Sequence, residues 1–315
     1  AERWLDAQNE RYVFVVQQGD SNDKCVCKGC AAKRAQGWNE ADLMLHWVNA
    51  VARRVNRKHP DKLLYCFGYM DAVEPPNILK PEANVVVLYC PWPGPMSAPN
   101  GFRDFDAPEN TFARRHLEGW LAAVGGDHLG IYDYAGGASL SHRRMADRIK
   151  WCARRGIRGG FWYCGQRRIF GKLFNYLNAQ LNWDPFLDTP RLERAFIRHY
   201  YGDAAEAMGA IYFGIFDRID ADLRNNGGHP HPGFFERTFV ETVFARFEEA
   251  VQKAPTPAIR AEIESDRDQF VDIGVAVLAP RDAPELDDER LSRFALFLRR
   301  KLDAQLAAVS KQREI

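Results

Sequence analysis

Five short apolar runs in this 315-residue chain each end in side chains suited to gripping or cleaving a polyhydroxylated ligand. The ends read Gln17, Gln18 and Asp20; Tyr69 and Asp71; Tyr89 and Trp92; Asp133 and Tyr134; and Trp162 and Tyr163. Sugar hydroxyls call for carboxylates and amides, and sugar C–H faces call for flat aromatic rings, so five such ends on one rim point to a carbohydrate or another polyol. Cleaving a glycosidic bond further needs an acid on the leaving oxygen and a base, nucleophile or substrate acetamide opposite it. Asp133, Asp71 and Asp20 are the candidate catalytic acids, Asp133 foremost, with Glu74 as a loop alternative. Gln18, Tyr69, Trp92, Tyr134, Trp162 and Tyr163 are the candidate substrate contacts.

Each assignment has a plainer rival. Asp133 could cap a helix or form a buried salt bridge to an arginine such as Arg143. Asp20 opens a turn-rich Asp-Ser-Asn-Asp loop, Asp71 precedes the turn at Pro75-Pro76, and Trp162 suits a core equally well. No pair of acids can be given roles from spacing alone.

Cys25-x-Cys27-x-x-Cys30 is the sharpest local motif among seven cysteines. Three thiols within six residues allow a metal knuckle with Cys66, Cys90 or a histidine as fourth ligand, a disulfide, or a reduced loop. The paired second half of a secure zinc site is missing, so the expectation is no metal, with Cys25, Cys27 and Cys30 as the alternative, and no cofactor. His229-Pro-His231 reads as an exposed turn. The serines and cysteines show no nucleophile-elbow spacing, and no phosphate-binding glycine loop is present.

The elements that must position these residues follow from periodicity. Tyr12–Val16, Leu63–Phe67, Asn84–Tyr89, Leu129–Tyr132 and Gly159–Tyr163 read as buried parallel strands. Amphipathic helices are expected over about 40–59, 111–124 and 141–155, and from Lys172 onward the pattern is helical throughout. Alternating strands and helices imply a parallel sheet whose ligands sit at the strands' C-terminal ends. Residues 1–185 form this β/α portion and 186–315 a helical region. A net charge of +1 gives no footprint for nucleic acid. No run of about 18 apolar residues suggests a membrane span.

Further motifs follow in order: Trp47-Val-Asn-Ala-Val-Ala52, His59-Pro-Asp-Lys62, Pro75-Pro76 ahead of Asn84-Val85, Ile131-Tyr-Asp-Tyr134, Gly156-Ile-Arg-Gly159, Tyr176-Leu177, Leu181-Asn-Trp-Asp-Pro185 and Tyr200-Tyr-Gly-Asp-Ala-Ala205. With Gln17-Gln-Gly-Asp20 and the cysteine loop, they resemble a bacterial family of domains of unknown function from about Tyr12 to Phe216. That family is similar to α-glucuronidases and to endo-β-N-acetylglucosaminidases that cut N-glycans. The resemblance implies an α/β fold, the C-terminal portion of a (β/α)8 TIM-type barrel, followed by an all-helical region. It also implies a glycan substrate, an N-acetylhexosaminide or a uronide, and export from the cytoplasm. Two positions depart from the family pattern. Gly19 stands where an Asn is usual, and Phe161-Trp-Tyr-Cys-Gly165 lacks the Glu that commonly ends this strand. A sugar-binding or scaffold module that has lost its acid is therefore the rival expectation to a hydrolase.

Overall fold

A computed structural model describes residues 12–17, 19, 24–91, 105–133, 142–163, 169–225 and 237–278. In chain order the elements are β1 (Val13–Val15), α1 (Lys28–Ala35), α2 (Glu40–Lys58), β2 (Leu63–Gly68), β3 (Val85–Tyr89), α3 (Thr111–Val124), β4 (Leu129–Asp133), α4 (His142–Arg154), β5 (Phe161–Tyr163), α5 (Gly171–Trp183), α6 (Thr189–Tyr201), α7 (Ala205–Asn225), α8 (Arg237–Lys253) and α9 (Pro257–Leu278). The chain divides into two compact units. One holds all five strands with residues 1–137, 141–166 and 177–187; the other holds 138–140, 167–176 and 188–315.

The five strands form one parallel sheet in the order β1-β2-β3-β4-β5. Right-handed crossovers that always step the same way put every intervening helix on one face. The side-chain alternation agrees, because Phe14, Leu64, Cys66, Val85, Val87, Tyr89, Leu129, Ile131 and Phe161 share a register face and are all buried.

The other face is apolar but only partly covered. Val13, Val15, Leu63 and Trp162 there are 38, 53, 36 and 46% exposed. Its aromatic rings reach across strands. Phe67 of β2 meets Tyr132 of β4 edge-on with centroids 5.1 Å apart. Tyr65 of β2 meets Trp162 of β5 in the same way at 5.9 Å. In a flat sheet, strands three apart stand about 14 Å from each other. The sheet is therefore curled like half a barrel, with these rings on its concave side.

The β2–β3 crossover contains no α-helix, so its backbone groups need side-chain partners. α2 supplies them. Its first turn carries a reciprocal capping box between Asn39 and Asp42. Asp42, fully buried, also accepts the backbone N–H groups of Asn77, Ile78 and Leu79 at 3.0, 2.9 and 2.7 Å. Asn39 donates to the Pro75 carbonyl, while Asn49 donates to Lys80 and accepts from Glu82. The loop is thus stitched along the helix that covers β2 and β3.

The helical unit has its own aromatic core, including Phe170, Tyr201, Tyr212, Phe216, Phe247 and Phe270. Asp188 caps α6 and Pro190 sits in its first turn. No described helix is long and apolar enough to cross a membrane.

Candidate functional site

The C-terminal end of β2 is the best-defined part of the expected rim. After Tyr69 the chain makes a 3-10 turn over Met70–Ala72, and Met70 takes a left-handed backbone with φ 52°. A non-glycine residue there is strained by about 1 kcal/mol or more, and such strain collects at functional sites. α3 fixes the turn from behind. Its Trp120 donates from Nε1 to the Val73 carbonyl at 2.9 Å, and the same ring lies so close to Gly68 that a Cβ there would stand 3.1 Å from it. Asp71, held in this turn, is half-buried, and its carboxylate has no hydrogen-bond or ion-pair partner among the described residues. Tyr69 is half-buried beside it. Glu74 is exposed.

Asp133 sits differently. It ends β4 on the helix-facing side, 1% exposed, and Arg148 of α4 donates to both its oxygens at 2.8 and 2.7 Å. The guanidinium lies over the Phe105 ring, 4.8 Å from its centroid. This is the salt-bridge alternative expected for Asp133, with Arg148 in the place proposed for Arg143. Tyr89 also points to the helix side, fully buried, and its hydroxyl has no partner among the described residues. Burial pushes that phenol far above its ordinary pKa. Trp162 faces the concave side. Tyr163 pairs with Asp133 in register; its side chain lies outside the described ones, as do Gln18, Asp20, Trp92 and Tyr134.

Arg148→Met leaves the Asp133 carboxylate without its bidentate partner, at an expected cost of about 3 kcal/mol in denaturant midpoint experiments. Adding Asp133→Leu should recover most of that loss, whereas independent, additive losses would show that the two groups do not act as a pair.

Three residues of the concave surface, Tyr65, Phe67 and Tyr132, were not singled out from the sequence. The signal was present in the i, i+2 alternation of Leu63, Tyr65 and Phe67, which puts all three on one face. A cleft of about 380 Å³ lies elsewhere, between α4 and α5 near the start of β5, with Ile157, Phe161, Trp183 and Phe186 in its lining. It is remote from the strand C-termini.

The loop after β1 brings the three cysteines together. The Sγ atoms of Cys25, Cys27 and Cys30 all lie within 4.8 Å of one another, the first two exposed and the third half-buried. Cys27 caps α1, accepting the Cys30 backbone N–H at 3.4 Å. That N–H, with thiol hydrogen bonds from Cys25 and Cys30, brings the Cys27 thiol down to about 7. Cys30 is pushed up to about 11, first by its hydrogen bond with Cys25 and then by that with Cys27, which hold its proton.

A parallel sheet curled like half a barrel, with helices along its outer face and aromatic rings inside, defines a β/α protein. The chain belongs to the family described as domain of unknown function DUF4838, which it matches over residues 2–212. Comparisons with curated proteins and with solved structures returned no match.

Proposed function

We propose that this chain is the C-terminal portion of a (β/α)8 barrel of glycoside hydrolase type, acting on a glycan that carries an N-acetylhexosamine or a uronic acid. The observation that carries the reading is Asp71, a carboxylate with no partner among the described residues, on a strained turn at the C-terminal end of a parallel strand. The curled sheet supports the barrel, because parallel sheets are covered on both faces. Val13, Val15, Leu63 and Trp162 would be covered by further strands closing the sheet. Trp162, nearly half exposed and edge-on to Tyr65, offers the flat surface that a pyranose C–H face needs.

A general acid must reach the leaving oxygen, and Asp71 is the described strand-end carboxylate open to do so. Asp20, on the β1 loop, is the sequence candidate for its counterpart. The second reading is a non-catalytic glycan-binding module, favoured by the engagement of Asp133 with Arg148, which removes one acid from the rim.

One experiment separates the two. The full chain is assayed for hydrolysis and binding on a panel of N-acetylhexosamine- and uronate-containing glycans. Hydrolysis that Asp71→Asn slows by about 10²–10⁴-fold in kcat supports the enzyme. Binding without hydrolysis, weakened several-fold by Trp162→Ala, supports the module. A panel neither bound nor cut overturns both.

A further inference from the structure

We propose that Cys25, Cys27 and Cys30 form a three-thiolate site for a thiophilic d10 metal ion, with Zn2+ as its occupant. The inference stands on the cysteine loop alone and does not depend on the glycan reading.

The geometry is close to what the ion requires. Tetrahedral zinc with Zn–S bonds of about 2.3 Å places sulfurs about 3.8 Å apart. All three Sγ atoms already lie within 4.8 Å of one another, so side-chain rotations of a few tenths of an ångström to about 1 Å close the triangle. The backbone that carries them is held in place. Arg34 of α1 donates to the Cys25 carbonyl at 2.7 Å and forms a fork with both oxygens of Glu40, at 2.7 and 3.0 Å, which ties the loop to the start of α2. Cys27 is the N-cap of α1 and Cys30 lies in its first turn, so the start of one helix fixes the spacing of these two sulfurs.

Charge favours the same occupant. Three thiolates alone would carry three negative charges in one loop; one Zn2+ reduces that to one. Lys24 and Lys28 adjoin the cysteines in sequence and offset the remainder. A disulfide would use two of the sulfurs and leave the third, so the three-way cluster suits a metal better than a bond. Among the described residues no fourth His, Cys, Asp or Glu joins the cluster. Within the described residues the donor set is three thiolates, and water or a further donor completes the tetrahedron that zinc requires. Each thiol that binds gives its proton to the buffer.

The test uses the full chain, purified reduced, stripped with a chelator and titrated anaerobically. Zn2+ is added in one arm, Cu+ in a second, and Co2+ in a third as a spectroscopic stand-in for zinc. The expected result is one Zn2+ per chain, thiolate-to-Co2+ charge-transfer absorption, and proton release on binding. Three of the seven cysteines should become protected from alkylation. Cys27→Ser and Cys30→Ser should each weaken Zn2+ binding by at least about 100-fold while the far-UV circular dichroism is unchanged, since both sites lie at or near the surface. Absence of Zn2+ binding to the reduced chain would overturn the proposal, as would binding that survives Cys27→Ser. Cu+ binding without Zn2+ binding would overturn the assignment of the ion.

Discussion

Asp42→Ala should be the most damaging single substitution in the strand-bearing unit, lowering stability by roughly 5 kcal/mol. The side chain is fully buried and its two oxygens accept four backbone N–H groups, those of Asn39, Asn77, Ile78 and Leu79. Each donor left dry costs about 1–3 kcal/mol, and water entering at the loop returns part of that. Asp42→Asn keeps the shape but turns two acceptor positions into an NH2 group facing N–H donors, so it should cost about 3 kcal/mol. Denaturant unfolding measures the totals. Amide exchange gives the local signature, with protection lost first at Asn77, Ile78 and Leu79. An alanine variant within 1 kcal/mol of the parent would show that the β2–β3 crossover does not need this carboxylate.

The helical unit should lose stability as pH rises, and Asp266 should be the cause. The residue is 1% exposed, accepts the Phe170 N–H at 2.9 Å and lies 3.4 Å from the Tyr201 hydroxyl. Burial raises its pKa from 3.8 to about 8; the nearby charge of Glu262 pushes the same way, against the two hydrogen bonds. The unfolded chain gives up this proton near pH 4, and the folded chain holds it to about pH 8. Between those values the folded state binds more protons, so stability falls with rising pH, by at most about 1.4 kcal/mol per unit and roughly 5 kcal/mol in all. Above pH 8 the loss is complete and constant.

Asp266→Asn keeps an acceptor for the Phe170 N–H and cannot ionise. The variant should match the parent near pH 4 and exceed it increasingly up to pH 8. Parallel stability curves for the two proteins from pH 5 to 9 would mean that Asp266 titrates as an ordinary carboxylate. Ionisation there also bears on Phe170, whose backbone is left-handed at φ 59° and whose N–H this side chain accepts.

By itself the sequence determined the kinds of element and their order. β-branched runs between turn residues marked the strands, and apolar residues at i, i+3, i+4 spacing marked the helices, both patterns that act over short stretches of chain. The parallel β/α alternation followed, and the spacing of Cys25, Cys27 and Cys30 allowed their meeting because all three lie in one short loop. Two features escaped that reading. α1 buries none of its residues, so no apolar stripe announced it. The β2–β3 crossover makes its connection in irregular backbone, held by Asp42 and Asn49 from more than thirty residues away.

The site depended on information that is not local. Which residue ends a strand was legible, but which way its side chain points turns on register, where one step exchanges the two faces. That parity sent Asp133 and Tyr89 among the helices and turned Tyr65, Phe67, Tyr132 and Trp162 to the concave side. Arg148, fifteen residues after Asp133, then met its carboxylate because α4 packs on β4's outer face. Asp71 kept its carboxylate unpartnered because the turn after β2, pinned by Trp120, brings no described cation to it. The sequence named the acids at the strand ends. Only the register of the sheet decided that Asp133 is half of a buried ion pair, and only the packing of the turn after β2 left Asp71 with no partner among the described residues.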